Sequence, residues 1–415
     1  MSNRIIRAVA YTHDEVTRKF IEKCVTNLKM TESFRTTNLS AITQQYNLWK
    51  RELPSVQPYY AVKCNPDINI LSTLAKLGCK FDCATMGEID TVLNQVSNTS
   101  PDDIIYANPA HAQHMLEYAK RMNVINTVVD SVDELYKIIA MKDANFKLLI
   151  RIATSDKSSV CKFSKKFGCS VVDAIRLLEL AKINNIEIIG VSFHVGSNCG
   201  DVDAYRLAIR DAKTIFDAAL LLQMPTLTVV DVGGGFPCDE LYSSEFPTFT
   251  AISAVVRDCI MDFHKYHASA TFIAEPGRFM VASSTTIATK VYATKCSDGK
   301  QSIYVDNGIY GSFNNVVYDH AILTPVQLLE TGEPGIPTNV FGNTCDGLDQ
   351  LCSYESCIYP KTNAGEWIIW ENMGAYTHTA SFVFNGYTNI PKQLYVPEAE
   401  NLGFWDDSNG RRHLP

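Results

Sequence analysis

An apolar run followed by a helical stretch recurs eight times between residues 58 and 278, and this recurrence limits the possible folds more than any other feature of the chain. The helical stretches carry apolar residues every three or four positions, as in Ala174–Asn184 and Tyr205–Leu222. Eight such units predict a (β/α)8 barrel, and an open parallel α/β sheet is the alternative. The runs lack strict alternation, which is typical of parallel strands buried on both faces. They are Pro58–Lys63, Lys80–Thr85, Ile104–Pro109, Thr127–Ser131, Lys147–Ala153, Ile188–Gly196, Thr228–Gly235 and Thr271–Arg278.

The pattern changes after about residue 282. Short apolar segments separated by Gly, Pro and Asn predict strands there, and helical periodicity is sparse. These segments are Thr286–Ala293, Ser302–Val305, Trp367–Trp370 and Gln393–Val396. We therefore expect a barrel domain over residues 37–281 and a β domain over residues 282–415. Residues 1–36 fit no βα unit and are expected to contribute a strand to the β domain.

Charge and cysteine content argue against several classes of function. The 415-residue chain has a formal net charge of −8 and no dense run of Lys and Arg, so nucleic acid is not an expected partner. No apolar stretch is long enough to cross a membrane, and Met1–Ala10 lacks the apolar core of a secretory signal. The 13 cysteines are scattered without a CxxC pair, which indicates a reduced, cytoplasmic protein. Gly233–Gly235 does not fit the G-x-G-x-x-G pattern of nucleotide-binding folds.

Polar side chains lie at the carboxyl ends of the predicted strands, where a barrel of this type carries its active site. They are Lys63, Asp82 with nearby Glu88, Arg151, His194 with Ser197, Gly233–Gly235, and Glu275 with Arg278. Each alone has an ordinary structural explanation: a solvated strand end, a core histidine, a tight turn or a local ion pair. Together, an amine, an imidazole, a glycine-rich turn, an acid and a guanidinium suit a phosphorylated ring cofactor that is bound through an amine. No metal site is expected.

A series of motifs resembles the eukaryotic ornithine decarboxylases, in order and at familiar spacing, over roughly residues 30 to 390. The motifs are PYYAVKCN (58–65), FDCAT (81–85), SFHVGS (192–197), DVGGGFP (231–237), AEPGR (274–278), YGSFN (310–314), YDHA (318–321), CDGLD (345–349) and ENMGAYT (371–377). The resemblance implies an alanine-racemase-like barrel followed by a C-terminal β-barrel domain. It also implies pyridoxal 5'-phosphate as the cofactor and decarboxylation of ornithine to putrescine, the first step of polyamine synthesis.

The resemblance further implies a role for each matched residue. Lys63 would attach the cofactor covalently, Glu275 would pair with its ring nitrogen, and His194 would lie against its ring. The phosphate would be bound by Ser197, Gly234, Gly235, Gly277, Arg278 and Tyr376, while Asp82 and Arg151 would order this site. Cys345 would donate a proton to the substrate α-carbon. The rest of the substrate would contact Tyr310, Asp319, Asp346 and Phe384.

The partners implied by the resemblance are a second copy of the chain and an antizyme-like regulatory protein. The homodimer would share its active sites between subunits, with Asp349 and Lys166 paired across the interface. Some positions depart from the family pattern: Asn198 and Cys238 replace glycine, and Phe341 and Asn343 replace Trp and Pro. A lysine, arginine or diaminopimelate decarboxylase of the same fold remains an alternative. So does a catalytically inactive homologue that binds a regulatory protein.

Overall fold

The computed structural model describes residues 15–141, 145–155, 159–161, 164–238, 246–388 and 390–397. The chain forms two compact units. One, named here the barrel unit, comprises residues 42–282, and the other, the sheet unit, comprises residues 1–41 and 283–415. Among the described residues, no helix has the length and apolarity needed to cross a lipid bilayer.

The barrel unit is built around a closed barrel of eight parallel strands, and this confirms the fold predicted from the recurring βα pattern. Each strand pairs with the next barrel strand along the chain, and the last pairs with the first. The strands are β2 (Val56–Ala61), β3 (Lys80–Cys83), β4 (Ile104–Tyr106), β5 (Asn126–Val129), β6 (Lys147–Ile152), β8 (Ile188–Phe193), β10 (Val229–Asp231) and β11 (Thr271–Ala274). Two further short strands, β7 (Ser159–Cys161) and β9 (Ser197–Cys199), form a separate antiparallel pair.

Helices alternate with these strands, and five of them begin at a polar residue that caps them. Side-chain oxygens of Asp67, Thr85, Ser131, Ser170 and Thr248 accept backbone N–H groups of the first turn, which would otherwise have no acceptor. The helices are α2 (Leu39–Glu52), α3 (Ile68–Lys76), α4 (Met86–Gln95), α5 (Gln113–Arg121), α6 (Val132–Ala140), α7 (Val171–Ile183), α8 (Asp203–Leu221), α9 (Phe249–His264) and α10 (Arg278–Val281), with 3-10 turns at Val62–Cys64 and Pro101–Asp103.

The barrel interior contains an apolar layer to which most of its strands contribute. Side chains from β2, β4, β5, β6, β8, β10 and β11 pack into one cluster, and residues from so many strands can meet only inside the barrel. The cluster comprises Tyr59, Ile105, Ala107, Val128, Leu149, Ile189, Val229 and Ile273. This layer fills the barrel below the strand ends, so the polar groups at those ends lie above packed apolar side chains.

The sheet unit contains a nine-stranded, largely antiparallel sheet, which confirms the expected β-rich second part. Its strands are β1 (Phe34–Thr37), β12 (Thr285–Ser297), β13 (Lys300–Val305), β14 (Val326–Gln327), β15 (Gly335–Phe341), β16 (Gln350–Cys352), β17 (Ile358–Pro360), β18 (Trp367–Trp370) and β19 (Lys392–Tyr395), with helices α1 (Glu15–Thr26) and α11 (Asn315–Tyr318) and a 3-10 turn at Ala282–Ser284. The N-terminal strand β1 pairs antiparallel with β12 and parallel with β19. Helix α1 was not expected from the sequence.

Candidate active site

Lys63 lies on the 3-10 turn that follows β2, at the carboxyl end of the barrel strand. Its ammonium group is 2.9 Å from Oδ2 of Asp82, a carboxylate on β3 that is 1% exposed. The Lys63 side chain itself keeps 43% of its exposure, so a molecule entering the barrel mouth can reach the amine. The second oxygen of Asp82 is buried and accepts no hydrogen bond from the described residues. A buried carboxylate therefore holds an accessible amine in place.

A second acid, Glu275, follows β11 and is fixed by the backbone of the glycine turn. Its N–H group donates to the carbonyl oxygen of Gly233 at 2.7 Å. Its carboxyl is buried beside that of Asp231, the last residue of β10. Burial, followed by repulsion from Asp231 and Asp82, holds the pKa of Glu275 well above its ordinary value. Burial likewise raises the pKa of Asp231.

His194 follows β8 and is uncharged in this site. Burial, with the positive charges of Arg151 and Lys63, lowers the pKa of His194 well below its ordinary value. The N–H of Gly196 donates to its Nδ1 atom at 3.0 Å, so Nδ1 acts as the acceptor and Nε2 carries the proton. A neutral imidazole of fixed tautomer can lie against an aromatic ring without adding charge to it.

The glycine turn after β10 allows the backbone to approach this imidazole closely. A Cβ on Gly234 would lie 2.7 Å from Nε2 of His194 and 2.8 Å from the carbonyl oxygen of Glu275. Gly235 has a left-handed φ of 101°, and a Cβ there would lie 2.5 Å from the carbonyl oxygen of Gly196. A side chain at either position would collide with these atoms, so this turn, called here the glycine cradle, requires glycine for its backbone to approach so closely.

A hydroxyl and a guanidinium stand next to the glycine cradle. Arg278 is the first residue of α10, directly after Gly277, and its Nη2 donates to Oγ of Ser197 at 3.4 Å. Ser197 belongs to β9, where Asn198 adopts a left-handed φ of 54°. Asparagine tolerates that conformation better than most residues, which explains how it replaces the glycine of the family pattern. Cation, hydroxyl and glycine backbone together suit a phosphate.

Arg151 completes the set of barrel residues. Strand register places Arg151 on β6 opposite Ser192 on β8, and Ser192 opposite Asp231 on β10, so the three lie in one row across the sheet. The Arg151 guanidinium also lies 5.1 Å from the ring centroid of Phe167. Glu88, on α4, turns back to accept the N–H of Ala84 at 2.6 Å, and burial raises its pKa.

A second group of predicted residues lies together in the sheet unit. Tyr310 donates a short hydrogen bond from its hydroxyl to Asp346, and this bond raises the pKa of Tyr310 to about 12. The N–H of Leu348 and the Tyr310 hydroxyl both lower the pKa of Asp346. The Tyr310 ring stacks on Phe384 at 4.3 Å between centroids. An ionised carboxylate thus stands beside an aromatic pair.

Cys345 precedes Asp346 and is exposed, and its N–H donates to the side-chain oxygen of Asn385 at 2.9 Å. Phe382 packs edge-on against Tyr310 at 5.2 Å between centroids. Neither Asn385 nor Phe382 was predicted from the sequence, although both flank the predicted Phe384. Adjacency to that residue was the only available signal.

Asp319, Tyr376 and Asp349 are the remaining predicted residues of the sheet unit. Asp319 follows α11, and Tyr376 lies in a loop of the sheet unit with a left-handed φ of 54°. The substrate-binding role of Asp319 and the phosphate-binding role of Tyr376 stay predictions. Asp349 is 1% exposed, and its carboxylate accepts hydrogen bonds from Ile309 and Thr344 of its own chain. That enclosure argues against the predicted pairing with Lys166 of another subunit.

Comparisons with known proteins show which family the chain belongs to. A family model described as "Pyridoxal-dependent decarboxylase, pyridoxal binding domain" matches residues 39–282. Ornithine decarboxylase of Saccharomyces cerevisiae is 36% identical over 389 residues, which cover 88% of this chain and 81% of the yeast protein. Antizyme inhibitor 2 of Xenopus laevis is 36% identical over 399 residues, covering 92% of this chain and 86% of that protein.

Solved structures show the same relationship. The arginine decarboxylase of Paramecium bursaria Chlorella virus, bound to agmatine, superimposes with a TM-score of 0.85 at 31% identity and covers 91% of this chain and 100% of its own. The lysine/ornithine decarboxylase of Vibrio vulnificus, complexed with putrescine, gives 0.82 at 30% identity, with 92% and 99% covered. The chain therefore belongs to the family of pyridoxal-dependent decarboxylases that includes the ornithine decarboxylases, and its cofactor is pyridoxal phosphate.

Proposed function

We propose that this chain decarboxylates L-ornithine to putrescine and CO2, as a homodimer. The observation that carries the choice of substrate is the Tyr310–Asp346 cluster, because its ionised carboxylate suits the distal ammonium of a dibasic amino acid. Curated relatives at this level of identity bear the name ornithine decarboxylase. A cytoplasmic location is part of the proposal, and it is supported by the finding that no disulfide joins the described cysteines.

The barrel residues fit the cofactor. Pyridoxal phosphate, when bound, supplies an electron-withdrawing ring that accepts the electrons left by the departing carboxylate. Lys63, held by Asp82, would provide the amine that attaches it, and Glu275 would pair with its ring nitrogen. Neutral His194 would lie against the ring, and the glycine cradle beside Ser197 and Arg278 would hold the phosphate.

The sheet-unit residues act on the substrate. Asp346 orients the distal ammonium, and the stacked rings of Tyr310 and Phe384 exclude water from the aliphatic chain between the two amines. The Cys345 thiol donates its proton to the α-carbon after CO2 has left. Its backbone N–H is tied to Asn385, which fixes the position of the thiol-bearing residue.

The test of substrate choice is decarboxylation of ornithine, lysine, arginine and diaminopimelate by the purified chain, measured side by side as CO2 release. Ornithine is expected to give the highest kcat/KM. Asp346→Ala should raise the KM for ornithine by at least about tenfold without weakening cofactor binding. Asp298→Asn, which removes one negative charge from an exposed turn of the same unit, serves as the control. A higher kcat/KM for lysine or arginine would overturn the substrate assignment.

Homodimerisation is supported by apolar side chains around the substrate residues. Leu348 is 76% exposed, Phe382 50%, Val383 65% and Tyr387 45%. An exposed apolar patch of this kind marks a protein–protein contact. In a two-fold dimer the same patch serves on both subunits, and Lys63 of one chain can work with Cys345 of the other.

Complementation tests whether the sites are shared. Lys63→Ala and Cys345→Ala are each expected to be inactive, and their co-expression should restore about a quarter of full activity, because about half of the dimers are mixed and each mixed dimer holds one intact site. Isolated mixed dimers that stay inactive would show that each chain builds its site alone.

A second candidate function is regulation, as in a protein that binds antizyme without catalysis. The observation in its favour is the 36% identity to antizyme inhibitor 2 of Xenopus laevis. The presence of Lys63, His194, Glu275, Arg278 and Cys345 favours the enzyme instead. The visible absorption band of bound pyridoxal phosphate, together with CO2 release from ornithine, separates the two functions. An antizyme-like partner of an active enzyme is tested independently, by co-purification with an antizyme.

A further inference from the structure

Asp231 is an acid to which no role has been given above, although it lies at the centre of the barrel mouth. It is the last residue of β10 and is fully buried. One carboxylate oxygen, Oδ1, accepts the N–H of Gly233 at 2.8 Å. The other oxygen, Oδ2, accepts no hydrogen bond from the described residues, even though it is buried. Strand register pairs Asp231 with Ile273 on β11, so Glu275, two residues further along the chain, lies on the same face, and its buried carboxyl interacts with that of Asp231.

Two carboxylate groups cannot form a hydrogen bond with each other, because both are only acceptors. The contact becomes favourable when one of the two oxygens carries a proton. Without that proton, two negative charges would be buried side by side, and the Asp231 oxygen would have no donor. Gly233 holds both groups in this arrangement, since its N–H binds Asp231 and its carbonyl accepts the N–H of Glu275.

The charged groups around the pair do not remove the need for that proton. Asp82 on β3 adds a third negative charge, while Lys63 and Arg151 supply two positive charges. Lys63 is already paired with Asp82 at 2.9 Å, which leaves Arg151 to face the two remaining acids. His194 is neutral and contributes no charge. The positive charge of Arg151 is therefore balanced when Asp231 and Glu275 together carry one negative charge.

We propose that Asp231 is a positioning residue that shares one proton with Glu275 in the cofactor-free protein, and so keeps a proton on the acid that would pair with the ring nitrogen of the cofactor. Asp231 does this without touching substrate, by acting on Glu275. The burial that raises the pKa values of both acids supports this arrangement. The inference rests on cofactor binding and is independent of which amino acid is decarboxylated.

Infrared spectroscopy of the full-length protein, freed of cofactor, tests the proposal at neutral pH. The wild type is expected to show the band of a protonated carboxylic acid, shifted in D2O. Both Asp231→Asn and Glu275→Gln should lose this band, because each leaves one acid with an amide donor and no need of a proton. Asp130→Asn is the matched control. It removes a different acid of the same unit, one that is only half-buried, and it should leave the band unchanged.

Isotope labelling gives a second test that needs no variant. If the proton is shared, carbon-13 in the aspartate carboxyls and carbon-13 in the glutamate carboxyls should each shift the band of the wild type. Absence of the band in the wild type would overturn the proposal. It would also be overturned if the band persisted in a folded Asp231→Asn protein, or if only the glutamate label shifted it, since Glu275 would then hold the proton through burial alone.

Discussion

Replacing Asp349 should lower stability by a large and measurable amount, because its carboxylate accepts hydrogen bonds from both loops that carry the proposed substrate residues. It is 1% exposed. Oδ1 accepts the N–H of Ile309 at 2.9 Å, and Oδ2 accepts the N–H and the hydroxyl of Thr344 at 3.0 and 2.6 Å. A Cβ on Gly308 or Gly342 would lie within 2.2 Å of Oδ1, so the carboxylate is packed between two glycines. Its donors Ile309 and Thr344 directly precede Tyr310 on one loop and Cys345 on the other.

The substitution Asp349→Asn keeps the shape of the side chain but replaces one acceptor by a donor. If the amide oxygen faces Thr344, the amide nitrogen meets the N–H of Ile309, and a buried donor is left without an acceptor. That costs about 1–3 kcal/mol. The two bonds that remain lose their ionised acceptor, which costs about 1 kcal/mol each. The free energy of unfolding should fall by about 3–5 kcal/mol, a large fraction of the stability of a typical domain.

The comparison that decides the matter is with Lys166, the predicted partner of Asp349 across the subunit interface. Lys166 is exposed, and its ammonium lies 4.9 Å from the ring centroid of Phe167. If Asp349 acts within its own chain, Lys166→Met should change the free energy of unfolding by less than about 0.5 kcal/mol, and the double variant should be additive. Urea unfolding of the four proteins at two protein concentrations measures this.

An interface pair would give a different outcome. The two single substitutions would then cost similar amounts, the double variant would be no worse than either, and the loss would grow on dilution because the dimer dissociates. Either of the first two results would refute the argument that Asp349 is an intrachain clamp.

Three other predictions follow from single contacts. Lys63→Ala should abolish the visible absorption of bound cofactor and nearly all CO2 release; a variant that kept both would show that Lys63 is not the attachment point. Tyr310→Phe keeps the stacking on Phe384 but removes a donor from Asp346, so the KM for ornithine should rise more than kcat falls. Burial, with the charge of Arg35, lowers the pKa of His378 to about 3, so the unfolded chain binds its proton more tightly. Stability should therefore fall as the pH drops below about 6.5, by about 2 kcal/mol at pH 5, and urea unfolding of His378→Gln should lack this loss.

The barrel could be predicted because its signals are local. Each strand is an apolar run, and each is followed by a helix whose first turn is capped by a nearby residue such as Thr85 or Ser131. Parallel strands joined by helices all end on the same side, so the polar residues after them had to lie together. Lys63 and Asp82 are an instance: they are 19 residues apart and 2.9 Å from each other, as strand order alone suggests.

Parts of the sheet unit could not be predicted because their pairing depends on distant residues. Strand β15 pairs parallel with β13 on one edge and antiparallel with both β16 and β17 on the other, and β14 has only two residues. Such strands are too short for a hydrophobic period to be recognised. Helix α1 did carry a signal, since its buried residues Thr17, Ile21 and Cys24 have helical spacing.

Within the site, too, contacts between residues that are distant in the chain could not be predicted. Asp231 was missed because an acid inside an apolar strand has no assignable partner until register places it beside Glu275, which is 44 positions later in the chain (275 − 231). The hydrogen bond from Tyr310 to Asp346 joins residues 36 positions apart, and that from Cys345 to Asn385 joins residues 40 positions apart. These sheet-unit contacts are made between loops, so the roles of Tyr310 and Cys345 could be inferred only from the family resemblance.

Substrate preference should change more readily through residues on loops than through residues at the ends of barrel strands. The barrel residues proposed to hold the cofactor lie at strand ends and in a glycine turn, where even one added Cβ collides, as at Gly234. Substitutions there should remove activity toward every substrate alike. The proposed substrate residues lie on loops, where Asp346 is partly exposed and Phe384 stacks on Tyr310. We therefore expect changes that shift the preference between ornithine and lysine to fall on these loops, because one methylene is worth only about 1–3 kcal/mol and a small loop displacement can supply it. Exchange of residues 382–387 for those of a lysine-preferring relative, followed by the ratio of kcat/KM for the two substrates, tests this: an unchanged ratio with intact folding would show that preference is set elsewhere.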